Sequence, residues 1–539
     1  MTLPPTNLRP VIAAHLRQRL DAFREGFRHN LAVLGPPGSG KTHQLRELRA
    51  QLPSTILVIE CPLYRESCRS FLQRFCYTIV RAGLPALQTD GPGSSDAPQP
   101  SLAKLLQRAE PALPNTVAAI RHVDTLISRR AHGEAFTRAL DAIPILMGER
   151  QQPCVLILDE FLFLESLGLT HAFHELGKRV MTWPSTLFIL ASSSVYRARL
   201  ILRERLQLLF GQFELVSLER LDPEGAAAWA QQSLRGLRGV KMVSQFLIRW
   251  LGAYPWYLGV FLERLRERVA LGKNRELTEA LFLATAWDLL SSPTGTLHQW
   301  CSGRMEALGS GRLAARATEA LTQIAEGART TTEIGARIGR GGLSEALQLL
   351  VERDLAERNG MCWVVTDPIL RCWLCIVLAP QRTGTQPERT EAHHRLDTYL
   401  RGLWSRWMEA TTRSFSEQVV ELFRQFADDT VSLDAKTGRL PKFDVIRSQP
   451  PAAPGPEAYV VADGQGKRWC ATVHTASLDE AALASFDAFC RTQTPKPSRK
   501  VVVVNAPLDD HARLLAKAAN MWVWEPDDLA TLRGLYGQA

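Results

Sequence analysis

Eight consecutive residues near the start of the chain have the types and spacing needed to bind a phosphate chain. The segment GPPGSGKT fits the pattern G-x-x-x-x-G-K-[ST] without a mismatch. Its glycines let backbone N–H groups curl around phosphates, its lysine reaches the β- and γ-phosphates, and its threonine is expected to hold a magnesium ion. The segment therefore predicts a site for ATP and Mg²⁺. Its residues are Gly35, Pro36, Pro37, Gly38, Ser39, Gly40, Lys41 and Thr42.

The residues on both sides of this segment agree with such a site. Residues 30–34, NLAVL, form an apolar run suited to a buried parallel strand, and residues 42–51 predict a helix rich in Leu, Arg and Glu. A strand that leads through a loop into a helix places the positive helix N-terminus against the anion. The alternative, a chance Gly-rich turn, requires neither neighbour.

A second stretch ends in two carboxylates. Residues 154–160, CVLILDE, predict a central strand that delivers Asp159 and Glu160 to its carboxyl end. We expect Asp159 to bind magnesium through water and Glu160 to orient the attacking water, as in ATP hydrolysis. The alternative is a core strand that runs into an acidic turn.

A third apolar stretch ends in a run of serines. Residues 186–191, TLFILA, predict a buried strand that is followed by Ser192, Ser193 and Ser194. One of these hydroxyls is expected to touch the γ-phosphate or the attacking water as a sensor. The spacing does not decide which one, and Ser193 is taken as the candidate.

The residues after these serines, 195–210, predict a helix with four arginines. One interpretation is a solvated basic face, and the sharper one is an arginine finger that enters a neighbouring subunit's site. The candidates are Arg197, Arg199, Arg203 and Arg205.

Length and composition indicate a multidomain globular protein. A chain of 539 residues is too long for one core and predicts three or four domains. No window is apolar enough for a membrane span and no signal peptide is evident, so we expect a cytoplasmic protein without a membrane partner. The net charge of +9 is compatible with nucleic acid. The ten scattered cysteines are interpreted as reduced, mostly buried thiols.

Hydrophobic spacing predicts further elements of the first domain. Leu16, Leu20, Phe23 and Phe27 share one face of a lead-in helix. Residues 54–60 predict a strand and residues 67–82 a helix. Residues 102–150 are expected to be helical with interruptions at Pro111, Pro114 and Pro144.

The order of GPPGSGKT, CVLILDE, FILASSS, LLFGQFELVSLERLDPEGA and LGAYPWYL resembles the archaeal-type ATPase branch. That branch is related to the origin-recognition and STAND ATPases of the AAA+ group, and the resemblance covers residues 25–270. It implies a small helical lid whose Gly-x-Tyr-Pro element closes over the adenine. Here that element falls on Gly252, Tyr254 and Pro255.

The next segment is expected to form a winged helix. Helices near residues 311–326, 330–339 and 343–353 with short turns, then an extended stretch at 357–366, suit that fold. The same family usually has a winged helix here, followed by a segment like DPILRCW at residues 367–373. If residues 343–353 form a recognition helix, the candidate DNA contacts are Arg337, Arg340, Ser344 and Gln348, with Arg353 also exposed. The alternative is a winged helix used for protein packing.

Residues 390–427 predict a helical stretch with aromatic residues among arginines. Such a stripe can stack on bases, but at helical spacing it is more often core. The last segment, with strands expected at 442–447, 458–462, 469–475 and 500–505, is similar to restriction-endonuclease-like domains. Glu417 or Glu421 and Asp444 fit its early acids, whereas Thr472 and His474 replace the acid and lysine. We therefore expect a non-cleaving domain.

The expected fold is α/β: an AAA+-like parallel sheet with a helical lid, then a winged helix and a nuclease-like α/β domain. The expected boundaries are 1–220 for the ATPase core, 221–310 for the lid, 311–380 for the winged helix, 381–412 for a helical linker and 413–539 for the last domain. The expected function is an ATPase that acts as a switch or loader on double-stranded DNA, with self-association or a protein partner. The alternatives are a scaffold ATPase that binds only proteins and an ATP-regulated nuclease.

Overall fold

The computed structural model describes residues 8–84, 101–169, 171–204, 213–272, 276–382, 389–433, 436–450, 456–475, 478 and 480–536. The chain divides into two compact units, one made by Met1–Ala230 with Ala253–Gly259 and the other by Gln231–Gly252 with Val260–Ala539. No described helix is long and apolar enough to cross a membrane. The five domain boundaries and the cytoplasmic location stay predictions.

Unit one is built on a five-stranded parallel sheet with the strand order β2-β3-β4-β1-β5. Every residue of β1, β3 and β4 is buried, as apolar runs in the middle of a parallel sheet require. The register sets Leu34 beside Ser192 and Asp159 beside Ala191, so three strands end at one edge. The strands are β1 (Asn30–Leu34), β2 (Leu57–Pro62), β3 (Cys154–Asp159), β4 (Thr186–Ser192) and β5 (Phe213–Ser217).

Helices pack on the sheet through two apolar clusters, one of which contains α1, α2 and β1 residues and the other α3 to α8 residues. The helices are α1 (Pro10–Arg24), α2 (Lys41–Ala50), α3 (Cys68–Ala82), α4 (Leu102–Ala109), α5 (Pro114–Ser128), α6 (His132–Arg150), a 3-10 helix (Phe161–Leu167), α7 (Ala172–Thr182), α8 (Val195–Glu204) and α9 (Pro223–Ser233).

Two expectations about these helices are wrong. Leu16, Leu20 and Phe23 are buried, but Phe27 is 66% exposed because α1 ends at Arg24. Pro144 does not interrupt the helical region, since it lies inside α6.

Unit two begins with helices and a small hairpin. Three helices follow one another between residues 311 and 353, as expected. The stretch that was expected to be extended forms a hairpin of two short antiparallel strands, β6 and β7. The elements are α10 (Val240–Leu251), α11 (Pro255–Leu271, whose start belongs to unit one), α12 (Glu279–Leu290), α13 (Thr296–Glu306), α14 (Arg312–Ala325), α15 (Thr331–Ile338), α16 (Leu343–Glu352), β6 (Glu357–Asn359), β7 (Cys362–Val364), α17 (Pro368–Trp373), a π-helical turn (Leu374–Leu378), α18 (Ala379–Arg382) and α19 (Arg389–Thr412).

The aromatic stripe of α19 lies against protein. Trp404 and Trp407 pack on Phe246 of α10 with ring centroids 4.7 and 5.6 Å apart. Leu396 and Leu400 on the same helix are buried. These contacts favour the core interpretation of the stripe over base stacking.

The C-terminal part of unit two has a second five-stranded sheet with the order β10-β11-β12-β13-β14. Strands β10 to β12 are antiparallel, whereas β12 to β14 are parallel. The hairpin β8–β9 and strand β14 were not expected from the sequence. The elements are α20 (Phe415–Arg424), β8 (Asp429–Leu433), β9 (Lys436–Leu440), β10 (Val445–Gln449), β11 (Ala458–Gly464), β12 (Lys467–His474), α21 (Glu480–Thr492), β13 (Arg499–Val504), α22 (Asp510–Ala518), β14 (Met521–Trp524) and α23 (Pro526–Leu535).

Candidate nucleotide site

The phosphate-binding segment forms the loop between β1 and α2. Gly38 and Gly40 have φ angles of 80° and 93°, a left-handed conformation that side chains disfavour. A Cβ atom on Gly35 would lie 2.3 Å from the carbonyl oxygen of Leu218. The glycines are therefore needed for the path of the loop as well as for access to its N–H groups.

The side chain of Lys41 folds back over this loop. Its ammonium group donates hydrogen bonds to the carbonyl oxygens of Gly35, at 2.7 Å, and Pro36, at 3.2 Å. Burial lowers the pKa of Lys41, while the nearby charges of Glu160 and Asp159 act in the opposite direction. A buried ammonium held by two carbonyl groups is ready to exchange them for phosphate oxygens, which carry full charge.

Thr42 and Asp159 meet at the carboxyl edge of the sheet. The Thr42 hydroxyl donates to Oδ2 of Asp159 at 2.9 Å. Asp159 is only 6% exposed, and its other oxygen, Oδ1, is buried without a hydrogen-bond partner among the described residues. A hydroxyl and an unpaired carboxylate oxygen are ligands that Mg²⁺ prefers, so this pair fits the expected metal.

Glu160 and Ser193 form a second pair beside the first. The Ser193 backbone N–H donates to Oε2 of Glu160 at 2.9 Å, and its hydroxyl donates to Oε1. Glu160 has a φ angle of 57°, a strained value for this residue type that is common at functional sites. Ser192 is instead buried and accepts from the N–H of Ser194 at 3.1 Å. Of the three serines, Ser193 is the one that contacts the candidate base.

The lid element predicted at Tyr254 and Pro255 lies in unit one. Pro255 lies close to the phosphate-binding loop, since its Cγ atom would be 3.8 Å from a Cβ atom placed on Gly40. Tyr254 is buried, and its ring lies under the Arg220 guanidinium at 5.6 Å. Gly252 belongs to unit two.

Two further residues at the loop were missed by the sequence reasoning. The Trp256 N–H donates to the Gly38 carbonyl oxygen at 3.2 Å, directly after the expected Tyr-Pro pair. The Arg9 guanidinium donates to the carbonyl oxygens of Ser39, at 3.0 Å, Arg220, at 3.4 Å, and Glu219. Burial lowers the pKa of Arg9, and the Glu219 charge opposes this effect. Nothing in the spacing of Arg9 marks it in the sequence.

The arginines of α8 differ in their surroundings. Arg197 pairs with Glu165 at 2.8 Å, and Arg203 contacts Glu204 at 3.5 Å. Arg199 is exposed, and no ion pair is found for it within the described parts of the chain. Arg205 lies outside the described residues.

The candidate DNA contacts of unit two are all exposed. Arg337 donates to Gln323 at 3.3 Å, Gln348 donates to Glu352 at 3.2 Å, and Arg340 and Ser344 lie on the surface. The exposed side of α16 also carries Glu345 and Glu352. These four residues are therefore accessible to a ligand, and their contacts do not identify which ligand they bind.

The residues expected for a nuclease-like site do not lie together in the structure. Asp444 precedes β10, at the end where Val445 pairs with Asp463, whereas Thr472 pairs with Tyr459 at the opposite end of the sheet. The placement of Asp444 beside Thr472 and His474 is therefore wrong. Sequence spacing cannot reveal this, because the strand register sets the position.

Glu457 lies at the Thr472 end instead. It directly precedes β11, and its Oε1 accepts from the Ser416 N–H at 3.1 Å. Thr472 and His474 are buried and bonded to each other, with 2.8 Å between Oγ1 and Nε2. The Glu417 carboxylate caps the start of α20, and Glu421 binds Arg424. These bonds occupy Thr472, His474, Glu417 and Glu421, whereas Oε2 of Glu457 is buried without a hydrogen-bond partner among the described residues.

The comparisons with known proteins agree with the site in unit one. Residues 12–189 match the family model of the AAA ATPase domain. A search of curated proteins gave no match.

Three solved structures are among those that match this chain. A Walker-type ATPase of Pyrococcus abyssi has 16% identity and a TM-score of 0.47, and the alignment covers 68% of this chain and 95% of that one. The Aeropyrum pernix ORC2 protein has 14% identity and a TM-score of 0.42, with 74% and 96% covered. The Thermotoga maritima RuvB branch migration motor has 13% identity and a TM-score of 0.31, with 70% and 96% covered. Values this low assign no role to the chain.

The identification rests on the family match and on the loop geometry, which agree. The expectations of a P-loop ATPase and of an α/β fold with a parallel sheet are confirmed. The winged-helix and nuclease-like assignments stay predictions. Residues 12–189 therefore match the AAA ATPase domain, and the phosphate-binding loop at residues 35–42 lies within that match.

Proposed function

We propose that this ATPase is a nucleotide-gated switch or loader that acts on double-stranded DNA. The proposed binding and hydrolysis of ATP rest on one observation. At one edge of the sheet, Thr42 is hydrogen-bonded to Asp159 and Ser193 is hydrogen-bonded to Glu160. The Thr42–Asp159 pair suits a metal-bound phosphate chain, and the Ser193–Glu160 pair suits an attacking water. The gate is the segment 253–256, which touches the phosphate-binding loop.

In the proposed reaction, the loop amides and Lys41 hold the phosphates of ATP. Thr42 and Asp159 would hold Mg²⁺, and the bound ion would supply positive charge that neutralises phosphate oxygens. Glu160 accepts a hydrogen bond from a water molecule and orients it in line with the γ-phosphorus. The new P–O bond forms as the bond to the bridging oxygen breaks, and ADP and phosphate are released. Ser193 keeps the Glu160 carboxylate in place.

The gating part follows from contacts that ATP would replace. Lys41 is bonded to loop carbonyl groups, and the Gly38 carbonyl accepts from Trp256. Phosphates would compete with the Gly35 and Pro36 carbonyl groups for Lys41. We propose that the loop moves in response and that its contacts with the 253–256 segment change with it. A ligand shifts a conformational equilibrium only through such differential contacts.

Self-association is part of the proposal. Arg199 on α8 is exposed, whereas Arg197 is held by Glu165. We assign Arg199 as the arginine that a second copy of the chain would present to the γ-phosphate, since it is exposed and, of the three candidate arginines that the structure describes, it is the one for which no ion pair is found. Such an arginine makes hydrolysis depend on assembly.

The DNA part is supported by the net charge of +9 and by three helices followed by a hairpin in the order of a winged helix. The second candidate, a scaffold ATPase that binds proteins only, is favoured by the exposed Glu345 and Glu352 on α16. These carboxylates would repel DNA phosphates. Nuclease activity is not proposed, because Thr472 and His474 bind each other.

The test is double-stranded DNA binding by fluorescence anisotropy with ATP, with ADP and without nucleotide, at two salt concentrations. The Glu160→Gln protein is used because it should hold ATP without turnover, and Lys41→Ala serves as the control that cannot respond to ATP. Tighter, salt-sensitive binding with ATP in the first protein alone supports the proposal. Absence of binding in every nucleotide state would overturn the DNA role and support the scaffold.

A further inference from the structure

The hairpin β6–β7 corresponds to the wing of the expected winged helix. It packs against another segment of unit two. The Asn359 side chain donates to the Ser432 carbonyl oxygen at 3.0 Å and accepts from the Ser432 N–H at 2.7 Å. The Met361 N–H donates to the carbonyl oxygen of Thr430 at 2.8 Å, and a Cβ atom placed on Gly360 would lie 2.1 Å from that oxygen. The tip of the hairpin therefore lies against β8, which leaves it no room for a DNA backbone.

The base of this contact is held by charged and aromatic groups. Arg329 lies 3.4 Å from Asp429, and its guanidinium stacks 4.7 Å from the centre of the Tyr536 ring. The Tyr536 hydroxyl donates to the same carboxylate at 3.0 Å, and Cys362 is buried in the C-terminal core. The hairpin is thus part of the C-terminal core, and α16 beside it exposes two carboxylates.

Unpaired positive charge lies elsewhere, at the end of the C-terminal sheet where β11 turns into β12. Gly464 pairs with Lys467 across this turn, and a Cβ atom on Gly464 would lie 2.2 Å from the Lys442 carbonyl oxygen. The backbones of Lys442 and Lys467 therefore flank one glycine. Both side chains are exposed.

A third lysine lies on the segment next to this turn. Arg468 donates to the Thr494 carbonyl oxygen at 2.5 Å, and the Ser498 N–H donates to Arg468 at 2.7 Å. Lys496 lies between these two anchor points and is exposed. Three lysines thus occur around one turn. We call Lys442, Lys467 and Lys496 the turn-end lysines.

The acids of this end are largely neutralised by arginines. Arg468 binds Asp463 through two hydrogen bonds of 2.6 and 2.9 Å, and Arg439 binds Asp428 through two of its nitrogens. Asp444 is the exposed acid that follows Lys442. Among the residues that the structure describes, none of the turn-end lysines belongs to an ion pair. The turn end therefore presents a net positive surface.

We propose that the turn-end lysines bind backbone phosphates of double-stranded DNA. This inference rests on the proposed DNA role and places the contact on the C-terminal domain, not on the hairpin β6–β7. Flexible ammonium groups are suited to phosphates and carry no sequence information, so the contact would fix the position of the chain on DNA without selecting a sequence.

The experiment compares DNA binding by three full-length proteins in the presence of ATP over a salt series. One is the wild type, one carries Lys442→Gln, Lys467→Gln and Lys496→Gln, and the control carries Lys104→Gln, Lys178→Gln and Lys241→Gln, three lysines that belong to other elements of the chain. Circular dichroism and ATPase rate establish that each variant is folded.

The turn-end variant should bind at least about tenfold more weakly at low salt, and its salt slope should fall by about 2.7 because three phosphate contacts are lost. The control should change less than about twofold. Wild-type affinity and slope in the turn-end variant would overturn this inference and leave the DNA role standing. Absence of DNA binding by the wild type would overturn both.

Discussion

Ser193 holds both oxygens of the Glu160 carboxylate, one through its backbone N–H at 2.9 Å and the other through its hydroxyl. The two residues come from neighbouring strands, since β3 ends at Asp159 and β4 at Ser192. The candidate base is therefore oriented by the adjacent strand.

Ser193→Ala should lower the turnover of ATP without weakening its binding. The substitution removes the hydroxyl that donates to the Glu160 carboxylate but keeps the backbone donor. A hydrogen bond to a charged group contributes about 1.5–3 kcal/mol, which corresponds to about 10- to 160-fold in kcat. Steady-state kinetics would measure this, with Ser194→Ala as the matched control. Equal kcat values for Ser193→Ala and the wild type would contradict the positioning role.

Gly38→Ala should weaken nucleotide binding. The new Cβ atom would lie 3.2 Å from the Cβ atom of Trp256, and the φ angle of 80° adds about 1–2 kcal/mol of strain. Gly26→Ala separates these effects, because Gly26 has a φ angle of 91° and no atom within 4 Å of its Cβ position. Both variants should be less stable in denaturant titrations, but only Gly38→Ala should bind ATP more weakly in calorimetry. Comparable ATP affinity in the two variants would disprove the crowding argument.

The affinity for ATP should fall at alkaline pH. Burial lowers the pKa of Lys41 below its ordinary value of 10.5, against the opposing charges of Glu160 and Asp159. Below the lowered pKa the ammonium is present and binds phosphate, whereas above it the neutral amine has no charge to offer. ATP binding stabilises the ammonium and should therefore be accompanied by proton uptake in this range. Calorimetry in buffers of different ionisation enthalpy would detect the proton. Constant affinity without proton uptake up to pH 10.5 would argue against Lys41 as the ligand.

Asp429→Ala should destabilise the C-terminal part of unit two by about 2 kcal/mol, since it leaves Arg329 and the Tyr536 hydroxyl without their shared partner. The control is Glu409→Ala, which removes an exposed pair with Arg413 at 3.6 Å and should cost about 0.5 kcal/mol or less. Urea titration would give both values. If the two variants lost the same stability, the contact between the hairpins would not be a structural anchor.

The residues expected to bind ATP and Mg²⁺ could be predicted from the sequence because they lie in two short segments. The patterns at residues 35–42 and 154–160 each fix a strand and the loop after it, and Thr42 and Asp159 meet as a consequence. Arg9 could not be found in this way. Its three acceptors are backbone carbonyl groups brought together only by folding.

The C-terminal part of unit two shows where such reasoning fails. Its strands were placed within a few residues, but Asp444 and Glu457 lie at opposite ends of the sheet because of a register that no local pattern encodes. The hairpin β8–β9 was missed because KTGRL is polar and mostly exposed, and because the fold brings Gly438 against Trp522 of β14, where a Cβ atom would lie 2.3 Å from the ring. Phe27 has the right spacing for the core but follows the end of its helix.

The most direct test of the account is ATP binding and ATP turnover, measured together for the wild type, Glu160→Gln and Lys41→Ala. We predict that Glu160→Gln binds ATP as the wild type does and hydrolyses it at least about 100-fold more slowly, since it keeps the phosphate contacts and loses the base. Lys41→Ala should lose binding. Equal turnover by the wild type and Glu160→Gln, or wild-type ATP affinity in Lys41→Ala, would contradict the assignment of this site.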